Sequence, residues 1–345
     1  MSDPVVVLAN TQMKIAVIGA GMAGLSCAES LKDAGHSVAV FDKGRGPGGR
    51  MSTRRLQTPL GAVAFDHGAQ YFTARNPAFR RLVGEWAGLG IAALWPAAGP
   101  DAWVGVPAMN EIIKHMAQSH AVAWGHAATG LVRTDREWWL MGKAGRVGPY
   151  NAVVLAIPAE QAAAILSLHD FAMMRIALMA RSQPSWTSMF VFDRPLDGLP
   201  LVMRSGGDLV WAARNSAKPG RSGPEAWVVQ ASASWSQGRI DASQEDISAE
   251  LRAAWSQAAG CVIPEPVAAA SHRWRYALSA GTGDGALWNQ SIGLGVCGDW
   301  LLGPRVECAW LSGQMLANRC IGSGEATDGA SATPPGLLAP AGKIE

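Results

Sequence analysis

The sequence is poor in charge and lacks the cysteine patterns of small stapled folds. Only 16% of its 345 residues are charged, and 29 basic against 27 acidic side chains leave a net charge of +2. So small an excess argues against a nucleic-acid partner, which typically requires a strongly basic protein. Five cysteines, an odd number without a C-x-x-C pair, disfavour a disulfide framework or a zinc ribbon. They are typical of a reducing cytoplasm, where we expect the protein to reside.

Long apolar runs and metal-ligand spacings are also missing. No apolar stretch reaches the about 18 residues that a membrane span needs, so we expect no membrane partner. No H-x-x-x-H or similar pattern occurs, so we expect no metal site. What is abundant is apolar sequence, at 49%, with 40 glycines and 15 tryptophans. This length and composition predict about two domains, each with a packed core.

The strongest motif begins with a short β-branched run at residues 14–18. Gly19, Gly21 and Gly24 follow as G-x-G-x-x-G, then a helical stretch and a second predicted strand that ends at Asp42. In such a unit the first glycine permits the tight turn, the second lets the backbone approach a pyrophosphate, and the third allows close packing of helix on strand. The terminal acid accepts hydrogen bonds from a ribose. The order of these features predicts dinucleotide binding.

A second glycine-rich loop follows directly, at residues 43–50, with Lys43, Gly49 and Arg50. An NAD domain does not need such a loop, whereas an FAD is held along a longer path from adenine to isoalloxazine. Basic side chains here would neutralise the pyrophosphate or reach the flavin. A solvated basic turn is the alternative interpretation.

A second nucleotide signal lies near the other end of the chain. Residues 292–297 predict a strand, Asp299 follows it, and a helix is predicted from Val306. An acid at a strand end can accept from a ribityl hydroxyl, and a helix N-terminus can stabilise the N1–C2=O region of a reduced flavin. Two such strand ends, far apart in sequence, favour FAD over NAD.

Five segments give the chain a family resemblance. They are GAGMAG (19–24), GRGPGGR (44–50), FDHGAQYFTAR (65–75), HRWRYA (272–277) and GDWLLGPRVECAWLSG (298–313). Together they resemble the bacterial renalase-like proteins of the flavin amine oxidase superfamily. GAGMAG, GRGPGGR and GDWLLGPRVECAWLSG are typical of the superfamily and indicate only FAD. GAQYFTAR and HRWRYA point to the renalase branch.

The resemblance implies an α/β fold: a glutathione-reductase-like FAD-binding Rossmann domain with an interleaved mixed-sheet α+β substrate domain. It implies non-covalent FAD and oxidation of the 2- and 6-dihydro isomers of NAD(P) by O2, giving H2O2. Carried over to this sequence, the cofactor contacts would be Gly19, Gly21, Gly24, Asp42, Arg50 and Asp299. The substrate would be a small-molecule nucleotide.

Several residues are candidates for the pocket beside the flavin. Gln70, Tyr71, His272 and Trp274, from the two renalase-like segments, are candidate catalytic residues. Trp288 could line a pocket for a planar substrate. Arg273 and Arg305 could bind a substrate phosphate, since a guanidinium fork matches phosphate geometry. A packing or surface ion-pair role is the alternative for each of them.

The same pattern predicts a discontinuous domain organisation. We assign residues 13–75, 103–168 and 271–321 to the FAD-binding domain, and residues 76–102 and 169–270 to the substrate domain. Residues 1–12 and 322–345 are predicted to be flexible tails, because the second of these is rich in Gly, Ala, Pro and Ser.

Two other functions remain open on the sequence. A dihydropyridine is already a hydride donor, so its oxidation needs orientation rather than a general base. A flavin amine oxidase acting on an amine is the first alternative, although many amine oxidases of the superfamily resemble one another in a lysine near the flavin. Lys218, in the loop ARNSAKPGRSG, looks solvated and does not suggest that role. A non-catalytic flavin-binding protein is the second alternative.

Overall fold

The structure, a computed structural model, describes residues 12–143 and 145–322. All but one residue of each predicted flexible tail, 1–12 and 322–345, lies outside these described residues.

The strands are β1 (Lys14–Ile18), β2 (Ser37–Asp42), β3 (Thr53–Thr58), β4 (Gly61–Asp66), β5 (Ala92–Leu94), β6 (Trp103–Gly105), β7 (Val122–Trp124), β8 (Ala128–Thr134), β9 (Glu137–Gly142), β10 (Gly145–Tyr150), β11 (Ala152–Leu155), β12 (Ser182–Phe192), β13 (Val202–Arg204), β14 (Leu209–Arg214), β15 (Glu225–Ala231), β16 (Ala268–Ser279), β17 (Leu287–Asn289) and β18 (Leu294–Val296). The α-helices are α1 (Met22–Asp33), α2 (Pro77–Gly88), α3 (Glu111–Ala117), α4 (Ala159–Leu166), α5 (Phe171–Met179), α6 (Ala233–Gln237), α7 (Gln244–Ala259) and α8 (Val306–Gly322). Short 3-10 turns occupy Gly49–Met51, Pro96–Ala98, Asn215–Ala217 and Asp299–Leu301.

The central sheet has the order β17-β18-β11-β1-β2-β7, with every pair parallel except β17–β18. Its inner strands are apolar throughout, as expected for a parallel sheet covered on both faces. Alternate residues of β1 point to two cores: Ile15 and Val17 pack with α1 and α8, and Ala16 and Ile18 pack with α4 and the β8–β10 meander. Because β18, β11, β1 and β2 run parallel, the carboxyl ends of β1, β2 and β18 lie at one edge of the sheet.

The second sheet is antiparallel, in the order β13-β14-β15-β12-β16. One face packs against α7, where the Trp227 and Trp255 rings lie 4.9 Å apart. The other face packs against the β3–β4 hairpin through Phe65 and Met189. The predicted domain boundary between residues 270 and 271 falls inside β16, because that strand stays paired with β12 as far as Ser279.

Of residues 76–102, which we predicted to belong to the substrate domain, α2 packs on the central-sheet side, whereas Trp95 and Ala98 contact Trp211 and Arg204 of the antiparallel sheet. Asn76 caps α2 by accepting from the backbone N–H groups of Ala78 and Phe79. The Phe79 ring lies 5.4 Å from the Trp310 ring of α8, and both contribute to the core that contains β1. These apolar contacts tie α2 to the dinucleotide-type unit rather than to the antiparallel sheet.

Candidate dinucleotide site

The loop after β1 depends on two glycines for its own packing. Gly19 has φ of +108°, and a Cβ there would collide with the carbonyl oxygen of Ala156. A Cβ on Gly24 would collide with the carbonyl oxygen of Gly19 and lie 3.0 Å from the Ala156 side chain. Both positions therefore need glycine so that α1 can pack closely on the strands.

Gly21 is different, because it borders open space. It is the N-cap of α1, and a Cβ built on it meets nothing within 4 Å. The helix has no side-chain N-cap hydrogen bond and no acid in its first turn. Gly49, with φ of +52°, lies opposite, its Cβ position 3.8 Å from the Cα of Gly21. Free helix N–H groups beside two glycines form a cradle that fits a pyrophosphate.

Asp42 ties both glycine loops to the end of β2. Its carboxylate accepts from the backbone N–H of Ala20 at 2.7 Å and from that of Gly44 at 2.6 Å. A carboxylate has about four lone-pair positions, so it can also accept from a ribose hydroxyl. Lys43 points elsewhere, since its Nζ donates to Gln161 Oε1 of α4 at 3.3 Å. This placement does not support the predicted cofactor contact by Lys43.

Arg50 and Asp299 join the second glycine loop to the end of β18. The two side chains form a bidentate ion pair, in which Arg50 Nη1 donates to Asp299 Oδ2 at 2.7 Å. Arg50 Nη1 also donates to the carbonyl of Ala277 in β16 at 3.2 Å. The Asp299 side chain is 6% exposed and the Arg50 side chain is 39% exposed, so the pair lies at the edge of an opening. A dinucleotide that extends from Gly21 toward β18 would run along this pair.

Replacing Asp299 with asparagine should weaken FAD binding about tenfold, because Arg50 loses its counter-charge and its fixed position. The bound flavin is first removed from wild type and from the Asp299→Asn variant. Fluorescence titration with FAD then measures the dissociation constant of each protein. The matched control is Glu250→Gln, which removes the exposed carboxylate that pairs with Arg239. Equal FAD affinity in wild type and Asp299→Asn would refute the assignment.

Val306 begins α8, as the sequence predicted, but the neighbouring Arg305 is not a free cation. Arg305 Nη1 donates to the buried Glu307 at 3.0 Å. Glu307 also accepts from the backbone N–H groups of Arg75 at 2.6 Å and Asn76 at 2.5 Å. Since this carboxylate holds the segment before α2, Arg305 has a structural partner, and its predicted role at a substrate phosphate is not supported.

The 66–71 loop lies directly on the second glycine loop. Ala69 N–H donates to the carbonyl of Arg50 at 2.9 Å, and a Cβ on Gly68 would collide with that carbonyl oxygen. Gln70, a predicted catalytic residue, is buried and holds the loop together: its Nε2 donates to the carbonyls of Asp66 at 2.5 Å and Gly68 at 3.1 Å. The side-chain NH2 group is thus used within the loop, which does not support the predicted catalytic role.

Lys218 is buried, contrary to the solvated position that its sequence context suggests. Its Nζ donates to Asp66 Oδ2 and to Gln70 Oε1, both at 3.2 Å, and lies 5.2 Å from the centre of the Trp95 ring. Arg221 also pairs with Asp66. The physical reason is tertiary: the 215–221 loop folds under the 66–71 loop, where Asp66 compensates the ammonium charge. No local sequence signal marks a buried lysine.

The electrostatics of this buried cluster follow from its charges. Burial alone would raise the pKa of Asp66, but Lys218, Arg221 and the Met109 N–H lower it to about 2. Burial lowers the pKa of Lys218 to about 8, although Asp66 opposes the shift. One carboxylate therefore balances two cations beneath the loop, which leaves an excess of positive charge.

His272 and Trp274, from different positions of β16, meet His67 of the 66–71 loop. The His272 and Trp274 rings are 4.4 Å apart, and both lie within 5.0 Å of the His67 ring. Trp274 Nε1 donates to the carbonyl of His67 at 2.8 Å. Burial, with Arg54 nearby, lowers the pKa of His67 to about 3 and that of His272 to about 4. Both imidazoles are consequently neutral at pH 7.

Tyr71 joins a second aromatic group that sequence reasoning missed. Its ring stacks on Trp211 of β14 at 5.4 Å. Arg204 lies over both rings and donates to the Tyr71 hydroxyl at 3.4 Å and to the Ala98 carbonyl at 2.6 Å. Gln230 of β15 donates to the Gly68 carbonyl at 2.9 Å. The antiparallel sheet thus supplies an aromatic and basic wall above the loop.

Two predicted substrate residues lie away from this wall. Arg273 projects from the opposite face of β16, because side chains alternate along a strand, and it pairs with Asp241 and lies over the Trp186 ring. Trp288 lies on β17, where its ring packs over Gly295 of β18. These positions give Arg273 a surface ion pair and Trp288 a packing contact, and they do not support the predicted substrate contacts.

Comparison with known proteins supports a dinucleotide fold at two levels. Residues 17–86 match the NAD(P)-binding Rossmann-like domain family. A 40-residue segment is 52% identical to the 4,4'-diapophytoene desaturase (4,4'-diaponeurosporene-forming) of Staphylococcus aureus. That segment is 12% of this chain and spans only 8% of the desaturase.

Solved structures extend the likeness to about nine-tenths of the chain. A cyclohexylamine oxidase from Brevibacterium oxydans IH-35A superimposes with a TM-score of 0.71 over 92% of this chain and 100% of that one, at 11% identity. A putrescine oxidase variant gives 0.66 over 90% and 99%, at 15% identity. The chain has the fold of these oxidases. At such identities the likeness concerns the fold alone: mixed α/β, with a Rossmann-like dinucleotide-binding domain.

Proposed function

We propose that the protein is an FAD-dependent oxidoreductase of the renalase-like kind, which oxidises 2- and 6-dihydro isomers of NAD(P). The observation that carries the proposal is the pairing of an open cradle at Gly21 and Gly49 with the Arg50–Asp299 ion pair at the same sheet edge. An NAD needs only the first of these sites, whereas an extended FAD uses both. The fold shared with two amine oxidases supports a flavin.

The residues fit a non-covalently bound FAD. Gly21, Gly49 and the start of α1 would hold its pyrophosphate, Asp42 a ribose, and Asp299 the ribityl chain. The β8–β10 meander between β7 and β11 of a parallel sheet supports the glutathione-reductase-like arrangement. Bound FAD would supply a two-electron acceptor for hydride and a route for those electrons to O2, which gives H2O2.

The charges around the 66–71 loop and the aromatic wall support a dihydronicotinamide substrate over a protonated amine. Arg204 lies at the aromatic wall and Arg54 beside His67, and the Asp66 carboxylate is already neutralised by Lys218 and Arg221. A cationic amine would meet like charge there, whereas a neutral dihydropyridine ring carrying phosphates would meet complementary charge.

The residues of the chain would act by orientation rather than by proton transfer. Tyr71 and Trp211 provide flat apolar surfaces against which a pyridine ring can stack. His67, His272 and Trp274 are packed ring against ring, and both imidazoles are neutral at pH 7. A hydride donor needs no base at its carbon, so a rigid aromatic wall suffices.

An amine oxidase is the second candidate, and buried Lys218 favours it. Its ammonium lies beneath the 66–71 loop, 3.2 Å from Gln70, rather than in solvent. The two solved oxidases with this fold act on amines by name. These observations remove the sequence argument against an amine substrate.

Anaerobic stopped-flow absorbance distinguishes the dihydro-NAD(P) oxidase, the amine oxidase and the non-catalytic flavoprotein. The purified flavin-loaded protein is mixed with 6-dihydro-NAD, with ordinary 4-dihydro-NADH, and with a panel of primary and secondary amines. We expect rapid flavin bleaching by the 6-dihydro isomer. Bleaching by an amine alone would replace the proposal with the amine oxidase, and no bleaching by any of them would leave a non-catalytic flavoprotein.

Arg204 is the side chain placed to contact a substrate phosphate. We expect Arg204→Gln to raise the half-saturating concentration of 6-dihydro-NAD about tenfold, because one charge-assisted hydrogen bond is worth about 1.5–3 kcal/mol. The maximal bleaching rate should change little. Arg273→Gln, on the opposite face of the sheet, is the matched control, and equal half-saturation in the two variants would contradict this role.

A further inference from the structure

One face of α5 is apolar and uncovered. Its large side chains are strongly exposed: Phe171 by 67%, Leu178 by 58% and Met179 by 75%, with Leu168 just before the helix at 81%. At about 100° per residue the three exposed helix positions, with Ala172, span an arc about 120° wide, and Leu168 lies in the turn before the helix. An arc of that width is normally the buried face of a helix.

The other side of α5 already packs in the core. Met173 and Ala177 are buried in the cluster that contains β11 and the β8–β10 meander. The helix therefore has two apolar faces, of which the fold uses one. Exposed apolar side chains grouped in this way mark an interaction surface.

Basic side chains lie on and beside the exposed face. Arg175 lies within the apolar arc and is exposed, and Arg181 follows the helix. Arg133 lies over the Trp138 ring, which also contacts His169 next to the start of α5. Two acids of the adjoining segments have hydrogen-bond partners: Asp170 accepts from Met173 N–H and Asn289, and Glu160 accepts from Ser182.

We propose that this surface, the α5 patch (Leu168, Phe171, Arg175, Leu178 and Met179), docks on an anionic lipid surface. The apolar side chains would enter the headgroup boundary while the guanidinium groups contact lipid phosphates. None of the helices within residues 12–143 and 145–322 is long and apolar enough to cross a membrane, so α5 would lie in the plane of the interface. This proposal departs from the expectation of no membrane partner, because that expectation considered only segments that span the bilayer. The proposal is independent of the substrate.

A second copy of the chain fits the α5 patch less well. A two-fold interface places the same surface on both subunits, so the basic side chains of one patch would face those of the other. Arg175 stands inside the apolar arc, which makes that repulsion central rather than peripheral. Anionic headgroups instead provide complementary charge.

Co-sedimentation of the full-length flavin-loaded protein with vesicles tests the proposal. We expect binding to vesicles of phosphatidylglycerol and phosphatidylcholine, weaker binding at high salt, and little binding to phosphatidylcholine alone. Phe171→Ser with Met179→Ser should weaken binding about tenfold or more, and Arg175→Gln about fivefold. Val262→Ser changes a side chain that is 88% exposed outside the patch and should bind like wild type.

Two results would overturn the proposal. The first is absence of binding to the anionic vesicles, or binding that the patch variants leave unchanged. The second is a dimer in light scattering that disappears in Phe171→Ser with Met179→Ser, without any vesicle binding, which would assign the patch to a second copy.

Discussion

A Gly21→Val variant should fold normally and fail to retain flavin. A Cβ at this position would enter the space next to α1 and meet no protein atom within 4 Å, so the fold has room for a small branched side chain. The backbone at Gly21, with φ of −86° and ψ of −174°, is extended and accessible to valine. That same side chain would occupy the place of a pyrophosphate. Losing two charge-assisted hydrogen bonds of about 1.5–3 kcal/mol each weakens FAD binding about 100-fold or more.

Gly24→Ala provides the contrasting variant in the same motif. A single methyl group there collides with the Gly19 backbone, so α1 must move away from β1. We expect a loss of about 3 kcal/mol in the free energy of unfolding. Flavin content after purification, together with the thermal midpoint of the flavin-free protein, distinguishes the two effects. A Gly21→Val protein that stays yellow would contradict the placement of the cradle.

Asp66→Asn should destabilise the protein more than any surface change, by about 3–5 kcal/mol, because it leaves Lys218 and Arg221 buried without their counter-charge. The asparagine can still accept from Thr53 and from Met109 N–H, so the lost quantity is mainly charge. Urea denaturation at neutral pH measures the change. A loss below about 1 kcal/mol would mean that the cluster is solvated.

Lys218→Met is the matched control for this cluster. It removes one cation but keeps the Asp66–Arg221 pair, and an apolar side chain of similar length fills the space. Replacing a buried ion by an apolar group is often neutral or stabilising, so we expect a much smaller change than in Asp66→Asn.

The cluster also makes stability depend on pH in two windows. The pKa of Asp66 is lowered in the folded protein to about 2 from an ordinary 3.8, so its stabilisation is present above about pH 4 and is lost as the pH falls through 2. The pKa of Lys218 is lowered to about 8 from 10.5, so the unfolded chain binds the extra proton between those values. Stability should therefore rise from pH 8 to pH 10.5 through this group, and the rise should be absent in Lys218→Met.

Local sequence determined the elements whose signal is local. The β-branched run 14–18, the helix from Met22, the strand ending at Asp42 and the helix from Val306 were predicted from periodicity and glycine spacing, and the structure confirms them. The acids at the two strand ends were found in the same way, because the carboxyl ends of parallel strands must share one edge. The Rossmann-like domain follows from these alone.

Tertiary structure decided which side chains lie together beside the 66–71 loop. Arg273 and Trp274 are neighbours in sequence, yet strand alternation sends them to opposite faces of one sheet. Arg204, Trp211 and Gln230 come from three strands whose order, β13-β14-β15-β12-β16, no local pattern encodes. Only this order places an aromatic and basic wall above the 66–71 loop.

Lys218 shows the same limit most clearly. Its neighbours in sequence are small, polar and typical of a solvated loop, whereas its partners Asp66 and Gln70 lie about 150 residues earlier. Whether a lysine is buried depends on compensation by a distant carboxylate, and that is a property of the assembled fold. The sequence by itself thus determined the Rossmann-like dinucleotide-binding unit. The buried charges around Asp66 and the aromatic and basic wall arose from long-range packing.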